Sequence, residues 1–302
     1  MHRHDLSDWT HSHRFESGHE HKAERRTKLV ALLTLATMLV EIAVGVLSNS
    51  MALLADGFHM ATHVGALGIA AFAYGYARRH ADDKRFTFGT GKVGELAAYT
   101  STIILGMVAL LMIYESGLRL LSVQTIAFND ALLVAVLGLA VNLASAIILS
   151  GHDHDHEHHH DHNLKAAYVH VIADAFTSVL AIVALLCGKY LNWWWLDPTM
   201  GLVGAAVIMK WAWNLFRHSG GVLLDMNNDG GLEDEVRQAI ESDGDDQLAD
   251  LHLWKVGPDH WAAILSVVSH QPQEPDHYKR KLATVHELSH ISVEVQVCKM
   301  EN

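Results

Sequence analysis

Residues 52–76 read ALLADGFHMATHVGALGIAAFAYGY, an apolar run interrupted by Asp56, His59 and His63. About 20 residues of α-helix cross the roughly 30 Å hydrocarbon core of a bilayer, so the run has the length of a membrane span. On a helix, His59 and His63 lie on one face, one turn apart. A second apolar run, near 165–187, carries His170 and Asp174 at the same spacing. Two helices facing each other along these stripes would turn three imidazoles and one carboxylate toward a common point, which is a donor set for a divalent transition metal. A lone histidine in a helix bundle usually makes one hydrogen bond and nothing more. Two matched pairs at membrane depth, where ionisable groups are expensive, mark an ion path instead. His59, His63, His170 and Asp174 are therefore the candidate metal ligands. Asp56, three residues before His59, is the candidate acceptor that orients an imidazole.

Working outward, six apolar runs of span length are read at 28–47, 52–76, 95–118, 130–150, 165–187 and 196–216, which predicts an all-α, six-helix transmembrane domain over residues 28–218. Ser48, Asn49 and Ser50 alone separate the first two runs, so a tight turn is expected there. Trp193, Trp194 and Trp195 fit an interfacial aromatic belt. Lys22, Arg25, Arg26 and Lys28 precede the first run, and Arg78, Arg79, Lys84, Arg85 and Lys92 follow the second. The opposite loops offer little beyond Arg119 and Lys189. Short basic loops stay in the cytoplasm, so both termini and the 151–163 loop are expected there. Residues 1–27 are polar and His-rich with no apolar core, and read as a cytosolic segment without a cleavable signal.

Half of the 302 residues are hydrophobic and 24 are histidine, a profile of a polytopic membrane protein that handles metal. The formal charge of -12 is concentrated late: residues 219–302 hold 16 Asp and Glu against 6 Lys and Arg. No basic face is present to bind nucleic acid. Cys187 and Cys298 give no disulfide framework. Residues 219–302 read as a cytosolic α+β domain in the order α-β-β-α-β: a helix at Leu232–Ile240, strands at Asp250–Val256 and Trp261–Val268, a helix at Asp276–Leu288, and a strand at Ile291–Val297.

Further metal-ligating candidates lie outside the spans. The loop 151–163 carries His152, His154, His156, His158, His159, His160 and His162 among four acids, a solvated linker that binds metal weakly and exchangeably. His2, His4, His11, His13, His19 and His21 form a sparser version. In the C-terminal domain His252, His270, His286 and His290 are candidates for a second metal site. His286-Glu-Leu-Ser-His290 also spells a zinc-protease motif, which requires both histidines on one helix face and Glu287 as base. The alternating pattern that starts after it predicts that the helix ends inside the motif, so a membrane-tethered metalloprotease is the weaker reading. Gly89-Thr-Gly-Lys92 lacks the spacing of a phosphate loop. His80, Asp82 and Asp83 are potential ligands set among arginines and lysines that oppose a cation. Glu41 and Asn142, inside spans, belong either to the ion path or to helix–helix pairing.

Ala55-Asp-Gly-Phe-His59 through His63, Arg85-Phe-Thr-Phe-Gly-Thr-Gly91, His170-x-x-x-Asp174 and Asp250-Leu-His-Leu-Trp254, in that order, resemble the cation diffusion facilitator family from about residue 28 onward. The resemblance implies a homodimer, each protomer with six spans and a cytosolic ferredoxin-like, metallochaperone-like C-terminal domain, exporting divalent metal across the inner membrane in exchange for protons. Zinc-type members carry His-x-x-x-Asp in span two, where this chain has His63 in place of the aspartate. That departure, with Leu223-Leu-Asp-Met-Asn227 and Gly257-Pro-Asp-His-Trp-Ala-Ala-Ile-Leu-Ser266, looks like the DmeF-type cobalt and nickel efflux subgroup. Co2+ and Ni2+ are then the expected cargo, Zn2+, Cd2+ or Fe2+ the alternatives, and protons the counter-ion. No cofactor is expected; the partners are metal ions, membrane lipid and a second copy.

Overall fold

The computed structural model describes residues 24–149, 161–227, 230–242 and 244–298. Helices cover every apolar run: α1 (Glu24–Leu47), α2 (Met51–Arg79), α3 (Val93–Leu121), α4 (Phe128–Leu149), α5 (Asp161–Leu191) and α6 (Leu196–Leu223). Among the described residues, Val93–Leu121, Phe128–Ser145 and Leu196–Leu223 are long and apolar enough to cross a membrane, and Leu32–Leu47 and Ala175–Leu191 are shorter apolar helices. The chain forms two compact units. Of the described residues, one contains 24–69 together with Thr100–Phe216; the other combines Ala70–Tyr99 with those from Arg217 onward.

In the helical unit, small residues on α2 set the packing. Leu53 clusters with Ala131, Val134 and Ala135 of α4 and Leu185 of α5; Ala52 clusters with Ala181 and Ala184 of α5. Ala55 clusters with Ala109 and Met112 of α3 and with Ala205 and Ile208 of α6. In lipid, helices associate through van der Waals contact, and small side chains let backbones approach. The turn between α1 and α2 is as tight as expected: Asn49 takes φ 55°, a left-handed conformation that asparagine tolerates. Across that turn a Cβ on Gly45 would lie 2.8 Å from Leu54 Cγ. Asp197, at the start of α6, caps α2 from outside. Its carboxylate accepts from Ser50 Oγ (2.7 Å), Met51 N (2.8 Å) and Ala52 N (3.1 Å), satisfying N–H groups that a helix start leaves without intrahelical partners and adding negative charge where the dipole favours it. Asn142 of α4 donates to Ser178 Oγ of α5 at 3.3 Å, so it pairs helices.

The other unit holds α7 (Gly230–Glu241), β1 (Gln247–Gly257), β2 (His260–Ser269), α8 (Pro275–Lys281) and β3 (Leu288–Val297). The sheet order is β1-β2-β3, with β1 antiparallel to β2 and β3 parallel to it. Alternate residues Ala263, Leu265 and Val267 of β2 join Val236 and Ile240 of α7 and Tyr278 of α8 in one core, as a half-covered sheet requires. The helix expected over Asp276–Leu288 is corrected: α8 stops at Lys281, one 3-10 turn covers Leu282–Thr284, and β3 starts at Leu288. Leu282 and Val285 both drop into the core, and Val285 is extended at φ -88° and ψ 93°. Its branched side chain favours that conformation, and an early end frees the chain to start the ladder with Leu288 opposite Trp261.

The α2–α3 loop belongs to this second unit. Phe88 sits edge-on to Trp254 (5.6 Å) and to His290 (5.5 Å). Lys92 pairs with Asp225, and a groove of about 800 Å³ lies between the loop and β1. Arg85 hydrogen-bonds Asp83 and holds its carboxyl at about 2, while His80 stacks on Tyr76 at 4.1 Å. His80 and Asp83, potential ligands in that loop, are thus engaged elsewhere.

Candidate metal site

At Asp56 the polar stripe of α2 meets α5. Asp56, 3% exposed, accepts a hydrogen bond from Thr177 Oγ1 at 2.9 Å. One turn on, His59 is 6% exposed, and its ring lies 5.9 Å from the Trp211 ring of α6 at 62°, edge to face. Thr62 Oγ1 donates to the His59 carbonyl at 2.6 Å, which satisfies its hydroxyl locally inside the helix.

Three contacts define how α2 and α5 run. Ala52 meets Ala181 and Ala184, Leu53 meets Leu185, and Asp56 meets Thr177. Advancing along α2 moves backward along α5, so the helices are antiparallel at this seam. His63 lies on α2, and His170 and Asp174 on α5; their side chains fall outside the described set. His152, His154, His156, His158, His159 and His160 lie outside the described residues, as do His2, His4, His11, His13, His19 and His21. His162 lies in the first turn of α5, and its side chain is likewise outside.

The histidines of the sheet unit are placed differently. His252 Nε2 lies 3.0 Å from Asp250 Oδ2, with both side chains 65% exposed. His270 Nδ1 lies 2.6 Å from Asp245 Oδ2, and Asp245 also accepts from the His270 backbone N–H and from Ser269 Oγ. The hydrogen bonds from the backbone and the ring of His270 hold the Asp245 carboxyl below the usual carboxylate range. His290 stands opposite Ala262 in the parallel ladder, and His286 precedes β3. Among the described residues, no three His, Cys, Asp or Glu side chains come together closely enough to hold a metal ion. The protease reading fails on geometry: Leu288–His290 is strand, so His286 and His290 share no helix face.

Three residues beside the seam escaped the sequence reading. Thr177 follows Asp174 by three residues, so its hydroxyl was readable as part of the same stripe. Asp197 and Trp211 on α6 carry no pattern that points at α2; only the packing reveals them.

Residues 27–224 match the model of the cation efflux transmembrane domain. Over 297 residues, 96% of this chain and 91% of the relative, the chain is 31% identical to the metal cation efflux system protein CzcD of Cupriavidus metallidurans. It is 30% identical over 293 residues, 91% of each chain, to the zinc transporter ZitB of Escherichia coli. A cadmium, cobalt and zinc/H(+)-K(+) antiporter of Bacillus subtilis is 30% identical over 244 residues, 79% of this chain and 77% of the relative. A family match across most of the chain, a buried polar seam inside apolar helices and a broken protease motif agree, and the chain belongs to the cation efflux family, the cation diffusion facilitators: it is a membrane transporter and not an enzyme.

Proposed function

We propose that this protein exports divalent transition metal from the cytoplasm in exchange for protons, with Co2+ and Ni2+ as the preferred cargo, through a site made by His59, His63, His170 and Asp174. The observation that carries this reading is the antiparallel seam through Asp56 and Thr177. Three residues forward on α2 is His59, and three backward on α5 is Asp174. Four further on α2 is His63, and four further back on α5 is His170. Helices of equal rise keep such steps level, so the seam supports one four-donor site of two levels about one turn apart. Asp56 sits at its edge, where it can orient an imidazole.

The cycle follows from the donors. Imidazole nitrogens bind metal or protons but not both, and an unperturbed imidazole titrates near 6.5. Rocking of the helix bundle exposes the site first to the cytoplasm and then to the exterior, where protons displace the metal. In this reading the six helices are six spans of the inner membrane, both termini are cytoplasmic, and two copies form the working unit. The His-rich loop 151–163 concentrates metal at the cytoplasmic mouth. The α-β-β-α-β unit, with a central strand paired antiparallel on one side and parallel on the other, supports a ferredoxin-like, metallochaperone-like domain in which His252, His270, His286 and His290 sense metal across a dimer.

A second reading is favoured by the relatives: ZitB is named a zinc transporter and the Bacillus subtilis protein a cadmium, cobalt and zinc antiporter. Zinc-first export differs from the first reading at one residue, His63. Purified protein in liposomes, assayed for Co2+, Ni2+, Zn2+ and Cd2+ flux with an internal pH dye, separates the two. We expect Co2+ and Ni2+ to move with proton counterflow, and His63→Asp to shift preference toward Zn2+. Flux without proton movement overturns the coupling, and wild-type preference for Zn2+ overturns the cargo.

A further inference from the structure

Where they touch, α2 and α6 run parallel. Met51 lies against Gly201, Ala55 against Gly204, and His59 against Trp211. At the first two levels no larger residue fits on α6: a Cβ on Gly201 would stand 3.1 Å from Met51 Cβ, and one on Gly204 would stand 2.8 Å from Ala55 Cβ. At the third level the α6 residue is a tryptophan. The helices are thus drawn together at two glycines, and beyond them an indole of α6 stands against the ring of His59.

Around α2, Ala52 and Asp56 face α5, and Ala55 faces α3 and α6. At 100° per residue, His59 falls between those two directions. Trp211 fills the α6 side. On the wheel of α2, the side of His59 away from Trp211 is the α5 side, and α5 carries His170 and Asp174. We propose that Trp211 is a positioning residue of the transport site: it backs the His59 imidazole, keeps it turned toward α5, and thereby sets the metal preference.

This inference rests on the reading of His59 as a ligand. Preference enters because Zn2+ has no geometric demand from its d electrons, whereas Co2+ and Ni2+ do. A His59 ring free to change rotamer penalises the demanding ions more. Trp211→Phe keeps a ring against His59. Trp211→Ala removes the wall and leaves a gap on a residue that is 46% exposed.

The test uses the full chain with Co2+ or Zn2+ alone as probe. Co2+ bound at His59 accepts excitation from an adjacent indole and quenches it; Zn2+, with a filled d shell, does not. Wild type should show a Co2+-dependent loss of fluorescence that Zn2+ reverses, absent from both Trp211→Phe and His59→Ala. In liposomes, Trp211→Ala should raise the KM for Co2+ about tenfold and that for Zn2+ less, with Trp211→Phe within about twofold of wild type. The visible absorption of bound Co2+ should change in Trp211→Ala. If Trp211→Ala does not fold, the quenching comparison between wild type and Trp211→Phe decides. Equal quenching in those two proteins, or wild-type KM and Co2+ spectrum in Trp211→Ala, overturns the role of Trp211. If His59→Ala itself transports and binds Co2+ as wild type does, the transport-site reading falls instead.

Discussion

His59 in the helical unit is buried beside Trp211, one turn from an Asp56 already held by Thr177, whereas His252 and His270 in the sheet unit are more than half exposed and each lies on one carboxylate. The same side chain is fixed by helix packing in one place and stays hydrated in the other. A buried imidazole has lost its water and much of its rotational freedom during folding, so little remains to be ordered when metal arrives. An exposed His–Asp pair must give up water and mobility at that moment, and one such pair supplies only two donors. On the proposed reading, metal handled at the α2–α5 seam would be selected by geometry, and metal met by the sheet unit would be sensed at most weakly by one protomer.

The sharpest way to break this contrast is to truncate both kinds of histidine. His170→Ala or Asp174→Ala should reduce radioactive Co2+ flux in liposomes by more than about 100-fold, since a lost ligand from a four-donor site removes most of the affinity. The His252→Ala, His270→Ala double variant should stay within about twofold of wild type at saturating Co2+. Next in size is Thr177→Val, which removes the hydroxyl that holds Asp56. Partners one step beyond the ligands are typically worth about 10- to 100-fold in metal affinity; the KM for Co2+ should rise about tenfold, and Thr177→Ser should restore it. Asp197→Asn keeps an acceptor at the start of α2 but removes its charge, and should lower the stability of the detergent-solubilised protein by about 1 kcal/mol, read from its thermal midpoint.

The smallest effect belongs to Asp245. Its folded carboxyl titrates below the ordinary value, so its stabilisation is present above the unfolded pKa of about 4 and is lost as pH falls through the folded one. Amide exchange at the end of β2 should therefore accelerate on acidification below about pH 4, and Asp245→Asn should flatten that dependence.

The helices were legible because span-length apolar runs leave few alternatives, and the Ser48–Ser50 break reads as a turn in any fold. The candidate ligand pairs could be proposed because four-residue spacing is a property of one helix; the described side chains of the seam reach only Asp56, His59 and Thr177. What no single segment encodes is which stripe of one helix meets which stripe of another. Thr177 is a hydroxyl among apolar residues until Asp56 is placed opposite it, and Trp211 carries no signal of its own until His59 lies against it. The end of α8 was misread for a related reason: residues 282–288 have helical spacing, and only the demand that Leu288 start a parallel ladder against Trp261 pulls them out of the helix.

The central claim is that α2 and α5 bring their ligand pairs level, His59 with Asp174 and His63 with His170. It is tested most directly by paired cysteines in the full-length protein with Cys187 and Cys298 replaced and a protease site placed in the 151–163 loop. His63→Cys with His170→Cys should be joined by a short thiol cross-linker, so that the two fragments stay together after cleavage. His63→Cys with Thr177→Cys, two turns out of step, should fall apart. Separation of the 63–170 pair with joining of the 63–177 pair would contradict the seam, and with it the transport site.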